Sequence, residues 1–347
     1  MHHTHERAFW VRPGLGEIRP VEVPDPGAGE VRVRTLRSGI SRGTETLVFR
    51  GGVPRDQHER MRAPHQEGDF PGPVKYGYLN VGTVEAGDPT LLGQTVFCLH
   101  PHQTAYVVPV AEVSVVPADV PAERAVLAGT LETAVNALWD AAPLVGDRVA
   151  VVGAGMVGCC VSRLLAGIPG VEVTLVDTDA SRAEVAAALG VGFAHPARAP
   201  EGCDLVLHAS ATEAGLQRSL DLLAPDGTVV DLSWYGDVPV RLDLGSAFHS
   251  GRLRLRGSQV GEVALRRRHR RTHRERLELA LSLLRDPAYD ALLSGSSAFE
   301  ELPELMAELS TGRRKALCHT ITYPPTTTHQ TTDHQSPTHR TTDQQEA

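Results

Sequence analysis

Three glycines are the residues whose type and spacing point most directly to chemistry. Gly153, Gly155 and Gly158 form a G-x-G-x-x-G pattern that follows a short β-branched strand pattern and opens a helical one. In this arrangement the first glycine permits a tight turn, the second lets the backbone approach a phosphate, and the third allows close helix–strand packing. The unpaired N–H groups at the start of the helix, from Met156 and Val157 onward, would then bind a pyrophosphate.

An acidic residue follows at the spacing that this pattern requires. A second strand pattern ends in Asp177, 19 residues after Gly158, and a carboxylate about 20 residues on accepts hydrogen bonds from ribose hydroxyls. Strand, glycines, helix, second strand and acid together predict a dinucleotide-binding site. Because the Asp177 carboxylate would repel a 2′-phosphate, we predict NAD rather than NADP as the cofactor.

The elements around this site change in type along the chain. Short alternating runs broken by proline–glycine clusters precede residue 120 and are typical of a small antiparallel β-barrel. Strand and helix patterns then alternate, which predicts a doubly wound parallel sheet. A helical spacing is expected over 123–141, and further strands are expected at 203–208, 228–232, 252–256 and 317–323.

We therefore predict an α/β protein of two domains, as a length of 347 residues suggests. The β-barrel domain is expected at 1–120, completed by 286–323, and the dinucleotide-binding domain at 121–285. Residues 324–347 contain almost nothing apolar, so they are expected to form a disordered tail.

Charge and composition argue against a nucleic-acid partner and a membrane span, and they favour one cellular compartment. The formal net charge of −8 gives no reason to expect a nucleic-acid partner, and no run of about 18 apolar residues predicts a membrane span. The five cysteines lack disulfide-like or C-x-x-C spacing, and the first residues lack the apolar core of a signal peptide. Both features favour the cytoplasm.

Particular stretches add a resemblance to a known superfamily. Over about residues 8–323 the chain resembles the medium-chain dehydrogenase/reductase superfamily, the group of zinc alcohol dehydrogenases and quinone reductases. Residues 38–45 are similar to a subgroup that includes bacteriochlorophyllide hydroxyethyl dehydrogenases. The resemblance to the superfamily rests on 26–33, 82–84, 93–97, 146–149 and 153–177.

This resemblance implies both an architecture and a reaction. It implies a GroES-like β-barrel beside a Rossmann domain, with the site in the cleft between them. The implied reaction is hydride transfer between nicotinamide and a small alcohol or carbonyl substrate, or reduction of an activated double bond. It also implies a homodimer or homotetramer, and a basic residue near the cofactor, for which Arg182 stands five residues after Asp177.

The residues at the superfamily's zinc positions do not suit zinc. The positions expected to hold a cysteine and a histidine fall at Ser41-Arg42 and Tyr78, and the third falls near Ala128 without a cysteine close by. Serine and tyrosine are poor zinc ligands beside thiolate and imidazole. The four-cysteine structural site is also missing, because Cys98 is alone between residues 50 and 150. We predict that catalytic zinc is absent.

Without zinc, a hydrogen-bond donor or a cation must polarise the substrate oxygen. We expect one tyrosine or histidine to donate a proton while the nicotinamide exchanges hydride. The candidate catalytic residues at the matching cleft positions are Ser41, Arg42, Glu45, Lys75, Tyr76, Tyr78, His102 and Glu132.

Three alternatives stay open at this point. His100 and His102 would project to one face of a strand and, with Glu132, could form an atypical zinc site. The chain could instead bind a dinucleotide without turnover, as a sensor or scaffold. The arginine run at 266–276 could bind nucleic acid, although a solvated start of the following helix is the simpler interpretation.

Overall fold

The computed structural model describes residues 6–324. Most of the predicted disordered tail therefore lies outside the described residues. Within 6–324, none of the helices combines the length and apolar character needed to span a bilayer.

The first part of the chain forms antiparallel sheets, as its alternating pattern predicts. In β3, Val31 and Val33 are fully buried, while the alternate residues Arg32 and Arg34 bind Glu6 on the other face. The elements of this part are β1 (Glu6–Arg12), β2 (Leu15–Val21), β3 (Glu30–Ser41), α1 (Arg42–Phe49), β4 (Glu67–Gly68), β5 (Val74–Lys75), β6 (Asn80–Gly87), β7 (Thr95–Cys98), β8 (Ala105–Pro109) and β9 (Val113–Val115).

The second part forms a six-stranded sheet whose strand pairs are all parallel, in the order β12-β11-β10-β13-β14-β15. This is the doubly wound order of dinucleotide-binding folds, which reverses between β10 and β13. The elements are α2 (Ala122–Ala125), α3 (Ala128–Ala141), β10 (Arg148–Val152), α4 (Met156–Ala166), β11 (Glu172–Val176), α5 (Arg182–Ala188), β12 (Gly192–Ala194), β13 (Cys203–His208), α6 (Glu213–Asp221), β14 (Leu223–Asp231), α7 (Ala247–Ser250), β15 (Arg254–Gly257) and α8 (His273–Leu283).

The chain then returns to the first part through β16 (Leu293–Ala298), α9 (Leu302–Thr311) and β17 (Cys318–Thr322). Strand β17 pairs antiparallel with β3 and parallel with β16. The predicted α/β class and the pairing of a β-barrel with a Rossmann sheet are confirmed. The exact domain limits stay predictions.

The largest differences from the predicted limits concern two elements. Strand β14 starts at Leu223 rather than at 228. The sequence Pro225-Asp226-Gly227 is typical of a turn, yet it lies inside the strand, with Asp226 at a φ of +65°. The helix expected over 123–141 is two helices, α2 and α3, separated by two residues.

Helix α3 joins the two parts into one core. Leu131 and Ala134 are fully buried, and they belong to a cluster that runs from Phe97 of the barrel to Val151 of the parallel sheet. This packing joins the barrel to the parallel sheet, and a cleft lies between α1 and the glycine turn.

Candidate active site

The three glycines of the turn after β10 have different surroundings. Gly153 has a φ of +109°, and a Cβ there would lie 2.6 Å from the backbone nitrogen of Ser210. A Cβ on Gly158 would overlap the carbonyl oxygen of Gly153. A Cβ on Gly155 would meet no heavy atom within 4 Å. Gly153 and Gly158 therefore serve the close packing of the turn, whereas Gly155 faces open space that a ligand can enter.

Helix α4 presents unsatisfied donors to that space. The helix begins at Met156 after Gly155, and no side chain caps its first turn. The N–H groups of Met156 and Val157 have no carbonyl partner within the helix, and both residues line the cleft. The helix dipole adds partial positive charge at the same point. This end of α4 suits an anionic group.

Asp177 follows β11 and turns its carboxylate toward the glycine turn. Its Oδ2 accepts a hydrogen bond from the Ala154 backbone nitrogen at 2.7 Å, and its Oδ1 accepts one from the Asp179 nitrogen at 2.8 Å. Each carboxylate oxygen can accept a second hydrogen bond. The carboxylate is therefore fixed in place and can still accept from ligand hydroxyls.

Two arginines lie near this carboxylate. Arg42, at the start of α1, is partly buried and lines the cleft, and among residues 6–324 its guanidinium has no carboxylate partner within ion-pair distance. Burial lowers the pKa of Arg42, the charge of Arg182 lowers it further, and Asp177 opposes both. The Nε of Arg182 lies 3.9 Å from Asp179 Oδ2. Arg42 is therefore a cation in the cleft that is available to bind a ligand anion.

The cleft has a volume of about 940 Å³, which is within the range of small-molecule sites. One side, the barrel wall, comprises Ser41 to Gly52 around α1. The other side, the sheet wall, comprises the glycine turn and the loops after β13 and β14. The barrel-wall residues that line it are Ser41, Arg42, Gly43, Thr44, Thr46, Leu47, Arg50, Gly51 and Gly52, and the sheet-wall residues include Gly155, Met156, Val157, Ala209, Ser210, Ala211, Ser233, Trp234 and Tyr235.

Ser41 of the barrel wall is hydrogen-bonded to Tyr78, a residue outside the set that lines the cleft. Tyr78 donates to Ser41 Oγ at 2.7 Å. Burial, followed by the charge of Glu45, raises the pKa of Tyr78 to about 12. Tyr78 therefore keeps its proton at neutral pH. Because Ser41 Oγ accepts that proton's hydrogen bond, the hydroxyl hydrogen of Ser41 is available to a ligand in the cleft.

Glu45 and His102 lie beneath this wall and not in the cleft. Their side chains are 3% and 1% exposed, with Glu45 Oε2 at 2.9 Å from His102 Nε2. Glu45 Oε1 accepts from the Ser41 backbone nitrogen at 2.7 Å. His102 Nδ1 lies 2.7 Å from Ser38 Oγ, which contacts the Tyr323 hydroxyl at 2.9 Å. This buried network holds Ser41 in position.

The structure does not bring Lys75 or Glu132 to the cleft. Lys75 donates to Gln103 Oε1 at 2.7 Å and pairs with Glu67. It lines a separate cavity of about 240 Å³ on the barrel. Glu132 lies 2.9 Å from Arg276 Nε, and the two side chains are 5% and 1% exposed. Both residues match cleft positions of the superfamily in sequence. In the folded chain, however, Lys75 contacts Gln103 and Glu67, and Glu132 contacts Arg276.

The predicted positions do not form a metal site. Residues 6–324 contain no group of three or more histidine, cysteine, aspartate or glutamate side chains that could hold a metal ion. His100 lies 3.0 Å from the Pro101 carbonyl oxygen and stacks on Tyr106, whereas His102 pairs with Glu45 and Glu132 with Arg276. The atypical set of His100, His102 and Glu132 is therefore not assembled, and the residues do not fit zinc.

Sequence reasoning missed a polar cluster in the sheet wall. His208 and Asp231 end the neighbouring strands β13 and β14 and are paired in register. His208 Nδ1 lies 2.9 Å from Asp231 Oδ1, and His208 Nε2 lies 2.6 Å from Ser210 Oγ. Burial alone would raise the pKa of Asp231, but the hydrogen bonds from His208, the Ser233 nitrogen and the Tyr235 hydroxyl outweigh burial and lower it. Polar residues at the carboxyl ends of adjacent strands were the available signal.

Comparisons with known proteins support the fold. No family model matches the chain. An Escherichia coli protein, RspB, described as a short chain alcohol dehydrogenase and crystallised with NADH, aligns with a TM-score of 0.73 at 17% identity, over 92% of this chain and 99% of that one. L-idonate 5-dehydrogenase from Escherichia coli aligns with a TM-score of 0.74 at 15% identity, over 92% and 98%.

Two further comparisons extend the set. A Sinorhizobium meliloti protein described as a zinc-binding dehydrogenase, bound to NADP, aligns with a TM-score of 0.72 at 17% identity, over 92% of this chain and 99% of that one. Among curated sequences, the starvation-sensing protein RspB of Escherichia coli is 24% identical over 244 residues, 60% of this chain and 70% of that protein. At these identities the likeness shows the fold.

Proposed function

We propose that the chain is an NAD(H)-dependent oxidoreductase of the medium-chain dehydrogenase type, which transfers hydride between nicotinamide and an alcohol or carbonyl without catalytic zinc. One observation carries this proposal. The Asp177 carboxylate lies 2.7 Å from the Ala154 nitrogen in the glycine turn, and Gly155 of the same turn lines the cleft and faces open space. Structural relatives crystallised with NADH and NADP support it.

In this proposal the residues of the glycine turn and α1 hold the dinucleotide. Asp177 accepts hydrogen bonds from the ribose hydroxyls. The N–H groups of Met156 and Val157 and the guanidinium of Arg42 bind the pyrophosphate. Arg42 suits this role because it has no carboxylate partner among the described residues and is partly buried in the cleft.

The charges around Asp177 favour NAD over NADP. A 2′-phosphate would lie against a carboxylate that two backbone N–H groups hold in place. Arg182 and Lys315 could offset that repulsion, but both lie beside Asp179, with Lys315 Nζ at 3.2 Å from its Oδ2. We therefore expect NADH to bind more tightly than NADPH.

At the reacting end, a nicotinamide held by these residues would supply or accept the hydride. Ser41 donates a hydrogen bond to the substrate oxygen, and Tyr78, which keeps its own proton, orients Ser41 Oγ through its 2.7 Å hydrogen bond. The proton that accompanies the hydride is exchanged with solvent water. Glu45 and His102 do not reach the substrate, but they position the Ser41 backbone. A carbonyl would thus be polarised by a hydroxyl pair in place of a metal.

A dinucleotide-binding sensor without turnover is the second candidate. The observation that favours it is the name of the curated relative, a starvation-sensing protein. Calorimetric titration with NADH and NADPH, followed by hydride exchange against a panel of aldehydes and ketones, separates the two. Binding with exchange supports the oxidoreductase, binding without exchange supports the sensor, and no binding contradicts both. The cytoplasmic location and the homodimer or homotetramer stay predictions.

A further inference from the structure

The sheet wall contains a second arrangement of reactive groups that dinucleotide binding does not require. Ser210 lines the cleft, His208 is fully buried beneath it, and Asp231 lies behind His208. The two joining distances, 2.6 Å and 2.9 Å, are those of a serine hydrogen-bonded to a base that a carboxylate orients.

The direction of each hydrogen bond follows from the chemistry of the groups. Asp231 is ionised at neutral pH and can only accept, so His208 carries its proton on Nδ1. Nε2 is then an acceptor, and the Ser210 hydroxyl donates to it. Because the single hydroxyl hydrogen of Ser210 is used on His208, Thr212 is the donor to Ser210 Oγ at 2.9 Å, while its own oxygen accepts from the Gly215 nitrogen. The remaining lone pair of Ser210 Oγ is free for a ligand.

The surrounding backbone leaves room for this arrangement. A Cβ on Gly215 would overlap Ser210 Oγ and lie 3.0 Å from His208 Nε2. Helix α6 starts at Glu213, just after Ser210, and Thr212 caps the Gly215 nitrogen. The N–H groups of Glu213 and Ala214 have no acceptor among residues 6–324 and lie at the positive end of the helix.

We propose that Ser210, His208 and Asp231 form a nucleophilic triad, which gives the cleft an acyl-transfer activity toward small activated esters. Ser210 Oγ forms a bond to the ester carbonyl carbon, and its proton passes to His208 Nε2. The bond from that carbon to the leaving oxygen breaks, and His208 gives the proton to the leaving oxygen. Water then repeats the sequence on the acyl-serine and releases the acid, so ester and water become acid and alcohol.

Asp231 positions His208 and stabilises its charged form without taking the proton. The N–H groups at the start of α6 would stabilise the developing oxyanion. The proposal does not depend on dinucleotide binding. Because Ser210 borders the glycine turn, however, a bound dinucleotide would cover Ser210 if the proposed function is also correct.

The test uses the full chain and a fluorescent fluorophosphonate, with p-nitrophenyl acetate hydrolysis as a second readout. Wild-type protein is expected to carry one label on Ser210, found by peptide mass analysis, and Ser210→Ala none. His208→Gln and Asp231→Asn are expected to label at least about 100-fold more slowly, since a general base contributes at least that much. Ser310→Ala is the matched control, because Ser310 lines the same cleft but its hydroxyl bonds only the Ala307 carbonyl.

The outcomes distinguish the triad from the dinucleotide site. An unlabelled wild type, a label on another serine, or equal labelling of a correctly folded His208→Gln variant overturns the triad. Circular dichroism checks the fold of each variant, and Asp231→Asn provides a second, near-isosteric change. Protection of Ser210 by NADH supports both proposals. Labelling that NADH does not slow, together with a flat NADH titration, supports the triad and contradicts the dinucleotide site.

Discussion

The two walls of the cleft acquire their polar groups in different ways. On the side of the parallel sheet, Asp177, His208 and Asp231 come at or directly after the carboxyl ends of three parallel strands, β11, β13 and β14. In the barrel wall, Ser41 meets Tyr78 across 37 positions of sequence. A regular parallel sheet therefore brings its functional residues together by strand register, whereas the barrel wall depends on the packing of separate loops.

The largest expected effect concerns Glu132, which belongs to neither wall. Glu132→Ala leaves Arg276 buried without its carboxylate, so we expect a loss of about 3–5 kcal/mol in the free energy of unfolding. Urea denaturation measures it. Glu278→Ala is the control, since its pair with Arg274 is about half exposed and should be worth under about 0.5 kcal/mol. If the Glu132→Ala protein kept its stability and lost only turnover, this account would be wrong, and Glu132 would belong to the active site.

The second prediction distinguishes a glycine of the sheet wall that is needed for packing from one that is needed for binding. Gly158→Ala places a methyl group against the Gly153 carbonyl and should lower the free energy of unfolding by about 1–3 kcal/mol. The methyl group that Gly155→Ala adds meets no atom within 4 Å. It should lower the free energy of unfolding by under about 1 kcal/mol, yet it should weaken NADH binding. Chemical denaturation and calorimetry on both variants test this contrast. Equal destabilisation by the two substitutions would contradict it.

The third effect concerns the recognition of the ribose. Asp177→Asn removes a charged acceptor and should weaken NADH binding by about 10-fold to 100-fold, the equivalent of about 1.5–3 kcal/mol. NADPH should be affected less, because the repulsion of its 2′-phosphate is also removed. Asp221→Asn, an exposed change away from the cleft, is the control. Unchanged affinity for NADH would show that Asp177 does not hold the ribose.

The smallest effect is a difference in how the walls respond to pH. The raised pKa of Tyr78, about 12, stabilises the fold below pH 10, and that stability is lost as pH rises through 12. The lowered pKa of Asp231 stabilises the fold above its ordinary value, and that stability is lost in acid. Tyr78→Phe should therefore flatten only the alkaline decline in unfolding free energy, and Asp231→Asn only the acid decline. The reverse pattern would refute both assignments.

The sequence predicted the strands, glycine turn and helix of the sheet wall better than it predicted the polar side chains of either wall. The packing of Gly158 depends on Gly153, close in sequence, so a local pattern was sufficient there, whereas Gly153 itself packs against the distant Ser210 backbone. Lys75 and Tyr78 are close in sequence as well, but Lys75 faces a separate barrel cavity. That orientation depends on Gln103 and Glu67. The triad of Ser210, His208 and Asp231 requires the register of β13 against β14, which no local pattern contains.

The proposal that the cleft holds NAD(H) is tested most directly by calorimetric titration of the full chain with NADH and, separately, NADPH. We expect saturable binding of one NADH per chain below about 1 mM, the upper range of ordinary enzyme affinities, with NADPH weaker. Binding of neither dinucleotide, or tighter binding of NADPH, would contradict this account of Asp177 and the glycine turn.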